Sequence, residues 1–315
     1  MLGSFRIGHY TDEARGTGVT AIICDKGATG GVSVRGCAPA TRETDLLDPK
    51  KSVEKVNAVV LSGGSAFGLE AASGVMRKLY EEGVGYNAGK YKVPIVVGAS
   101  IYDLEYKDFA FPDVEAGYKA AKAAIGDNFA CGATGAAAGA TVSKLLGQDY
   151  AVKTSLGIAT YSLNGIEIAV ISVVNALGDV IGADGGIIAG AKAPDGSFVD
   201  MQKIMSAGGV EPKATNTTIS CILTNAVITK TQANILADVA HDGYARALRP
   251  VHTLFDGDAV FALASGEKKV EFNILTAIVP ELTAAAIRAS VTGASGETRR
   301  ISPMLFGIFQ KMWKR

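Results

Sequence analysis

The most unusual stretch is the segment ATNTTISCILTNA at residues 214–226, which is rich in hydroxyl side chains. A threonine-rich strand at a sheet edge is one interpretation, because β-branched residues favour strands. The other is a nucleophile made by self-cleavage, in which a Thr hydroxyl attacks the preceding carbonyl carbon and water hydrolyses the resulting ester. Such a Thr keeps a free α-amine with a reference pKa of about 7.7 to 8.0, which can serve as the base for its own hydroxyl.

A second candidate is the sequence Asp256-Gly257-Asp258, which places two carboxylates two residues apart. On an extended segment both side chains point to one face. A turn with two solvated aspartates is the common explanation, and calcium is a weaker one because the other EF-hand ligands are missing. Paired carboxylates also orient amines and hold protons in enzymes. The local sequence leaves these alternatives open.

Two glycine-rich loops come close to known motifs without matching them. GGSAFG at residues 63–68 lacks the glycine spacing of a nucleophile elbow or a dinucleotide loop, and predicts a tight turn into a helix near Ser65. Its N–H groups could hold a substrate carboxylate or oxyanion. GATGAAAGATVSK at 132–144 has no glycine directly before Lys144, so it is not a phosphate loop. Taken alone, Lys144 could be a solvated charge at the end of a helix.

Hydrophobic periodicity predicts the elements that would position these residues. Short β-branched runs bounded by Gly, Asn or Asp predict strands at 18–24, 57–61, 93–102, 154–163 and 166–174. Asn164-Gly165 predicts a hairpin that makes the last two strands antiparallel. Helical patterns cover 65–82, 229–248, 274–291 and an alanine-rich stretch at 136–146. Without a linker between them, these elements predict one layered α/β or α+β domain over residues 1–315.

Charge and composition exclude several function classes. Lys and Arg number 31 and Asp and Glu number 31, so no global field attracts nucleic acid or an anionic membrane. The cysteines and histidines have no zinc-site spacing, which predicts reduced core thiols and no structural metal. These residues are Cys24, Cys37, Cys131, Cys221, His9, His241 and His252.

The two ends of the chain carry no clear targeting signal. MLGSFRIGHYTDE has no charged region followed by an apolar one, and no uninterrupted apolar run reaches about 18 residues. We therefore expect a cytoplasmic protein. The apolar run at 303–315 ends in basic residues, and we expect it to dock as a terminal helix or to form a subunit contact.

Five segments, in the same order along the chain, resemble the DmpA-type aminopeptidases. These are self-processing amidohydrolases that include L-aminopeptidase/D-esterases, β-aminopeptidases and the nylon-oligomer hydrolase NylC. The resemblance runs with gaps from about residue 17 to residue 295. It rests on VNAVVLSGGSAFGLEAASGVMRKLYEEG (56–83), VPIVVGASIYDL (93–104), GATGAAAGATVSK (132–144), NTTISCILTNAVITKTQA (216–233) and RPVHTLFDGDAVFALASG (249–266).

The resemblance implies an αββα sandwich of the kind shared with ornithine acetyltransferases. It also implies cleavage of the precursor just before its nucleophile. Asn216-Thr217 is the matching bond, which would give an α subunit of residues 1–216 and a β subunit of residues 217–315. Thr217 would be the nucleophile, and Thr218 is the competing choice.

The same resemblance implies roles for five further residues. Asp256 and Asp258 match the acidic pair that orients the nucleophile and its amine, and Lys144 matches a lysine near the nucleophile. Asn175 resembles the asparagine whose amide donates to the oxyanion. Tyr102 is the weakest match, because it could polarise that oxygen, bind substrate or be a core tyrosine. No metal or cofactor is implied.

The function expected from this resemblance is hydrolysis of amide bonds in short peptides or related oligoamides. The substrate would be a small molecule, and the protein would form a homo-oligomer, a tetramer of αβ units by analogy with the family. One alternative is acyl transfer to an amine acceptor, as in ornithine acetyltransferases. Another is a non-catalytic binding protein on the same fold.

Overall fold

A sheet of ten strands forms the centre of the protein, described in a computed structural model over residues 2–126, 128–207 and 215–292. In chain order the strands are β1 (Arg6–Asp12), β2 (Thr17–Val34), β3 (Ala40–Arg42), β4 (Lys55–Ser62), β5 (Tyr86–Ala88), β6 (Tyr91–Val93), β7 (Val96–Ser100), β8 (Ile125–Gly126), β9 (Thr141–Val142), β10 (Val152–Lys153), β11 (Leu156–Leu163), β12 (Ile166–Asn175), β13 (Asp179–Ile181), β14 (Ile187–Ala189), β15 (Thr217–Ala226), β16 (Leu248–Arg249) and β17 (Ala259–Lys268). The α-helices are α1 (Ala71–Glu81), α2 (Val114–Lys122), α3 (Met201–Ala207), α4 (Lys230–Ala247) and α5 (Phe272–Thr292). The order in the main sheet is β11-β12-β15-β17-β2-β4-β7-β3, and β1 pairs with β2 and β8.

The long strand β2 belongs to both halves of this sheet. Its first part pairs with β1 and β4, and its second part pairs with β17. Its register with β4 shifts between Ile23 and Ala28, where Gly27 has a φ of 74° that favours glycine. The strand therefore changes direction between the two halves.

The two halves of the sheet pack against each other through one central core cluster. Ile22 and Leu61 come from one half, and Ile171, Cys221 and Phe261 come from the other. Because side chains alternate along a strand, the neighbours of these residues point outward to the helices. The sheet therefore forms two stacked layers joined through β2.

Helices cover both outer faces of these layers. The core beneath α1 and α2 includes Val19 and Val60, whereas the core beneath α4 and α5 includes Val170, Ile222 and Ala262. The αββα sandwich implied by the resemblance is confirmed. The hairpin at Asn164-Gly165 is also confirmed, since β11 and β12 pair antiparallel and both turn residues have positive φ.

Most predicted helices form, with changes at their ends. α4 begins after Thr229, whose side chain accepts from the Gln232 N–H while Gln232 bonds back in a capping box. The predicted helix at 65–82 starts later, because residues Ser65–Glu70 form a 3-10 helix before α1. The expected terminal element at 303–315 lies outside the described residues.

The predicted helix at 136–146 is wrong. The segment holds only a 3-10 turn at Gly135–Ala137 followed by the short strand β9. Glycines in this segment disfavour a helix, and its backbone groups bond to other parts of the chain. The Lys153 ammonium donates to the carbonyls of Ala137 and Ala140, and the Thr141 N–H donates to the Asn175 side chain. Tertiary contacts therefore override alanine propensity here.

Helix α5 is long and apolar enough to cross a membrane by composition alone. Its buried residues, among them Leu275 and Ile287, lie in the same core cluster as α4 and β12. The helix is therefore part of the outer layer over this half of the sheet, together with α4.

The expectation that all four cysteines are core thiols is wrong for two of them, since Cys37 and Cys131 are exposed.

The interface between the two sheet layers can be tested with Phe261→Ala. Phe261 is fully buried in the central cluster, so truncation should cost about 3–5 kcal/mol of unfolding free energy. Phe109 is 67% exposed, so Phe109→Ala should cost less than about 1 kcal/mol. Urea unfolding of both variants in a Thr217→Ala chain measures the two values. Equal losses would show that the two layers do not pack as described.

Candidate active site

The candidate site lies where β12 ends and β15 begins. Asn175, the last residue of β12, pairs with Thr217, the first residue of β15. Strand alternation puts the Thr217 side chain on the face of Ile219, toward the central core. Thr218 faces the other way, on the side of Ser220, whose hydroxyl accepts from Tyr244 of α4. The two adjacent threonines therefore lie in different environments.

The Asn216-Thr217 peptide is held by the loop that precedes β17. The Asn216 N–H donates to the Phe255 carbonyl at 2.7 Å, and the Gly257 N–H donates to the Asn216 carbonyl at 2.9 Å. The Thr217 hydroxyl also donates to the Asn216 carbonyl oxygen. Asn216 and Thr217 are both buried. The Thr217 hydroxyl thus touches the carbonyl group that the resemblance expects it to attack.

The two aspartates of this loop bind different partners. Asp258 Oδ1 accepts from the Thr218 N–H at 2.6 Å, and Oδ2 accepts from His252 Nδ1 at 2.8 Å. Asp256 Oδ2 accepts from the N–H of Thr253 at 3.0 Å and from its hydroxyl at 2.5 Å. Burial, together with the charge of Asp258, raises the pKa of Asp256 to about 6. The interpretation of D-G-D as a turn with two solvated aspartates is wrong, because both residues are buried.

Lys144 is buried in the same region, so the interpretation as a solvated helix-end charge is wrong. Its ammonium group donates to the Asn175 main-chain carbonyl at 3.0 Å. Burial lowers the pKa of Lys144 to about 7, while the charges of Asp256, Asp103 and Glu105 oppose this shift. A lysine with this pKa can give or accept a proton near neutral pH.

The Asn175 side chain is fixed by two backbone groups. Its Oδ1 accepts from the Thr141 N–H at 3.1 Å, and its Nδ2 donates to the Tyr102 carbonyl at 2.9 Å. Asn175 also pairs directly with Thr217 across the two strands. Because directly paired residues of antiparallel strands have their side chains on the same face, the register of β12 and β15 places the Asn175 side chain beside Thr217.

A small cavity adjoins Lys144. Its volume is about 10 Å³, enough for a single water molecule. The Tyr102 hydroxyl donates to Glu105 Oε1 at 3.0 Å on its wall, and burial together with Glu105 raises the pKa of Tyr102. The cavity is lined by Tyr102, Asp103, Glu105, Tyr106, Gly139, Thr141, Lys144, Gln148 and Thr215.

Asp103 is a site residue that the sequence analysis missed, although the IYDL motif contains it. It is buried and accepts from the Gly64 N–H at 2.6 Å and from the Thr17 hydroxyl at 2.8 Å. Burial raises the pKa of Asp103 to about 6.

The main-chain N–H groups of the Gly63–Gly68 turn have partners within the protein. The Gly64 N–H donates to Asp103, and the Ser65 N–H donates to the Ile101 carbonyl. The expectation that the Gly63–Gly68 turn offers free N–H groups to a substrate is therefore wrong for Gly64 and Ser65.

His252 is a second residue that the sequence analysis missed. Besides its bond to Asp258, its ring lies 4.8 Å from that of His241, centroid to centroid. His241 Nε2 donates to the Ser33 carbonyl at 3.1 Å, and burial lowers the pKa of His241 to about 4. His241 is thus a neutral core residue, whereas His252 is part of the Asp258 network.

A sequence model of peptidase family S58 matches residues 3–300. The chain belongs to peptidase family S58. Among its relatives, an uncharacterized aminopeptidase of Mycobacterium tuberculosis (strain ATCC 25618 / H37Rv) is 39% identical over 301 residues, covering 89% of this chain and 85% of the relative. A 6-aminohexanoate-oligomer endohydrolase of Kocuria sp. (strain KY2) is 32% identical over 267 residues, covering 82% of this chain and 72% of the relative.

Two solved structures show the same fold as this S58 chain. A β-aminopeptidase of Burkholderia sp. gives a TM-score of 0.63 at 18% identity, covering 91% of this chain and 83% of the other. The L-aminopeptidase D-Ala-esterase/amidase of Ochrobactrum anthropi, described as a variant of the Ntn hydrolase fold, gives 0.65 at 17% identity, covering 91% and 82%. The family match makes the S58 chain a hydrolase of the peptidase class, and the two structures show that its layered fold is of the Ntn type.

The burial of Lys144 makes stability depend on pH. Its pKa is 10.5 in an unfolded chain and about 7 in the folded one, so between these values the unfolded chain binds more protons. The free energy of unfolding of the chain with Lys144, minus that of the Lys144→Met chain, should therefore rise by about 1 kcal/mol per pH unit between about pH 7 and pH 9. Urea unfolding of both chains, each carrying Thr217→Ala, measures this. A constant difference would mean that folded Lys144 keeps its proton.

Proposed function

We propose that this S58 protein is a self-cleaving amidohydrolase with aminopeptidase activity. It cuts its own Asn216-Thr217 bond into an α subunit of residues 1–216 and a β subunit of residues 217–315, and Thr217 becomes the nucleophile. The observation that carries the proposal is the contact between the Thr217 hydroxyl and the carbonyl of Asn216. The peptide that holds both groups is buried, and two main-chain hydrogen bonds fix it in place. The family S58 match and the Ntn-type fold support it.

Self-cleavage proceeds by an acyl shift. The Thr217 oxygen forms a bond to the carbonyl carbon of Asn216, the bond from that carbon to the Thr217 nitrogen breaks, and the hydroxyl proton ends on that nitrogen. Water then hydrolyses the ester, which leaves a carboxylate on Asn216 and a free amine on Thr217. Lys144 and Asp256 are the nearby groups whose pKa values of about 7 and about 6 suit proton transfer.

Hydrolysis of substrates uses the same hydroxyl with its new α-amine as base. Thr217 attacks the substrate carbonyl, the amine passes the proton to the leaving nitrogen, and water resolves the acyl-enzyme. The Asn175 amide donates to the oxyanion, once it is released from the Tyr102 carbonyl. Asp258 supports this arrangement because it bonds the main-chain N–H of Thr218, the residue after the nucleophile.

The substrates we propose are short peptides or related oligoamides with a free amino group. The cavity beside Lys144 has Asp103 and Glu105 on its wall, and these carboxylates would attract an ammonium group. The relatives named aminopeptidase and 6-aminohexanoate-oligomer endohydrolase support an amide substrate of this size. Glu105 is exposed and accepts a hydrogen bond from Tyr102 on the wall of this cavity, so it can meet an ammonium group that approaches from solvent.

We also propose that the protein works as a cytoplasmic homo-oligomer. Equal numbers of basic and acidic residues minimise repulsion between copies. Large exposed tyrosines at the end of α1 and in the β5–β6 hairpin, Tyr80, Tyr86 and Tyr91, support association. Light scattering after size-exclusion chromatography measures the number of αβ units.

The nucleophile is tested by two neighbouring substitutions. Thr217→Ala should leave a single uncleaved chain, because no hydroxyl contacts the Asn216 carbonyl. Thr218→Ala should still cleave, because Thr218 faces the opposite side of the strand. Denaturing gels and intact mass measure the products. In proportion to 216 and 99 residues of a 32.4 kDa chain, the fragments should be about 22 and about 10 kDa.

N-terminal sequencing of the smaller fragment assigns the bond. Threonine followed by threonine and isoleucine places the cut before Thr217, whereas threonine followed directly by isoleucine places it before Thr218. Cleavage of Thr217→Ala together with loss of cleavage in Thr218→Ala would move the nucleophile by one residue. A wild-type chain that stays intact after long incubation would contradict the self-cleavage.

The role of Glu105 is tested with L-alanine p-nitroanilide. Glu105→Gln removes a charge beside the cavity, and we expect a KM up to about fivefold higher with little change in kcat, because an exposed charge contributes at most about 1 kcal/mol to binding. Asp108→Asn is the matched control, since Asp108 is exposed on the same loop and does not line this cavity. An equal rise in KM for both variants would indicate general charge attraction rather than a specific contact.

A further inference from the structure

The loop from Phe255 to Asp258 contacts the Asn216-Thr217 peptide through its main chain. The Phe255 carbonyl accepts from the Asn216 N–H at 2.7 Å, and the Gly257 N–H donates to the Asn216 carbonyl at 2.9 Å. These two bonds form a parallel bridge between residues 216 and 256. The backbone between the two aspartates is therefore placed on the peptide that self-cleavage would break.

The amide of Asn175 has a different partner in this intact chain. Its Nδ2 donates to the Tyr102 carbonyl at 2.9 Å, and its Oδ1 accepts from the Thr141 N–H at 3.1 Å. The main-chain N–H that reaches the Asn216 carbonyl is that of Gly257. A donor 2.7–3.1 Å from the oxygen on which negative charge develops is the geometry of an oxyanion hole.

The absence of a side chain at position 257 is required by this geometry. A Cβ there would lie 2.7 Å from the Thr217 hydroxyl oxygen and 2.6 Å from the Ala38 carbonyl oxygen. Both distances are shorter than those between real Cβ atoms and their neighbours. Glycine therefore lets the N–H approach the Asn216 carbonyl while the nucleophile lies on the same group.

We propose that the main-chain N–H of Gly257 is the oxyanion donor of self-cleavage, a catalytic group separate from the Asn175 amide that serves substrates. This inference rests on the self-cleavage proposed above. When Thr217 Oγ bonds to the Asn216 carbonyl carbon, the carbonyl π electrons move to the oxygen, which carries the charge beside the Gly257 N–H. When this oxyanion collapses, the bond to the Thr217 nitrogen breaks and that nitrogen takes the proton lost by Oγ.

The test replaces one N–H by oxygen. Glycolate incorporated at position 257 by nonsense suppression turns the N–H into an ester oxygen and adds no side chain. We expect self-cleavage to slow by about 10²–10³-fold, the usual effect of losing one oxyanion donor. The readout is the rate at which the intact mass of the purified full chain falls.

Glycolate at position 36 is the matched control. The Gly36 N–H donates to the Asp258 carbonyl at 3.1 Å, so this ester removes a bond to the same loop without touching the Asn216 carbonyl. We expect it to cleave within about threefold of the wild type. Equal slowing by both esters would assign the effect to loop packing and overturn the proposal. Circular dichroism and thermal unfolding of the uncleaved chains check that both fold.

Asn175→Ala is the complementary variant and does not depend on the ester. If Gly257 supplies the donor, Asn175→Ala should slow self-cleavage by less than about tenfold while substrate hydrolysis falls by about 10²–10³-fold. A folded Asn175→Ala chain that stays uncut would assign the donor to Asn175 and overturn the proposal. A wild type that does not cleave would overturn the self-cleavage itself. A wild type and a Gly257 ester that cleave equally fast would overturn only the role of Gly257.

Discussion

The central strands are covered on both faces, and this constraint determines how the site is built. Polar side chains at the end of β12, at the start of β15 and just before β17 have little access to water, so their partners must come from the protein. Backbone groups meet much of that need: Asn175 bonds to Tyr102 and Thr141, and Asp258 bonds to the Thr218 N–H. The site is therefore as rigid as the sheet and loops that supply these groups.

Burial also sets the electrostatics of the site. An ammonium in a low-dielectric region loses its proton more easily, and a carboxylic acid keeps its proton longer, so their pKa values move toward each other. Lys144 reaches about 7, and Asp256 and Asp103 reach about 6, which brings all three close to neutral pH. A group with a pKa near neutrality can give or take a proton at small cost, which suits a reaction that transfers a proton from a hydroxyl to an amine.

Local patterns predicted the strands and the Asn164-Gly165 hairpin, because alternation and turn chemistry act over a few residues. The layer order and the candidate site came from resemblance to a family, and the roles of the individual site residues stay predictions. The helix at 136–146 was wrong because distant groups, such as Lys153 and Asn175, bind its backbone. Asp103 was missed because its partner Thr17 is 86 residues away in the chain, a distance that no local pattern spans.

The sheet interleaves the parts of the chain before and after the Asn216-Thr217 bond. β15 and β17, which follow the bond, lie between β12 and β2, which precede it. Separating the two parts would break the ladders on both sides of the β15–β17 pair and expose the central core. The covalent link at this point is thus dispensable for holding the molecule together. Two pieces joined in this way form a single cooperative unit, and exchange of one piece between molecules would require both to unfold.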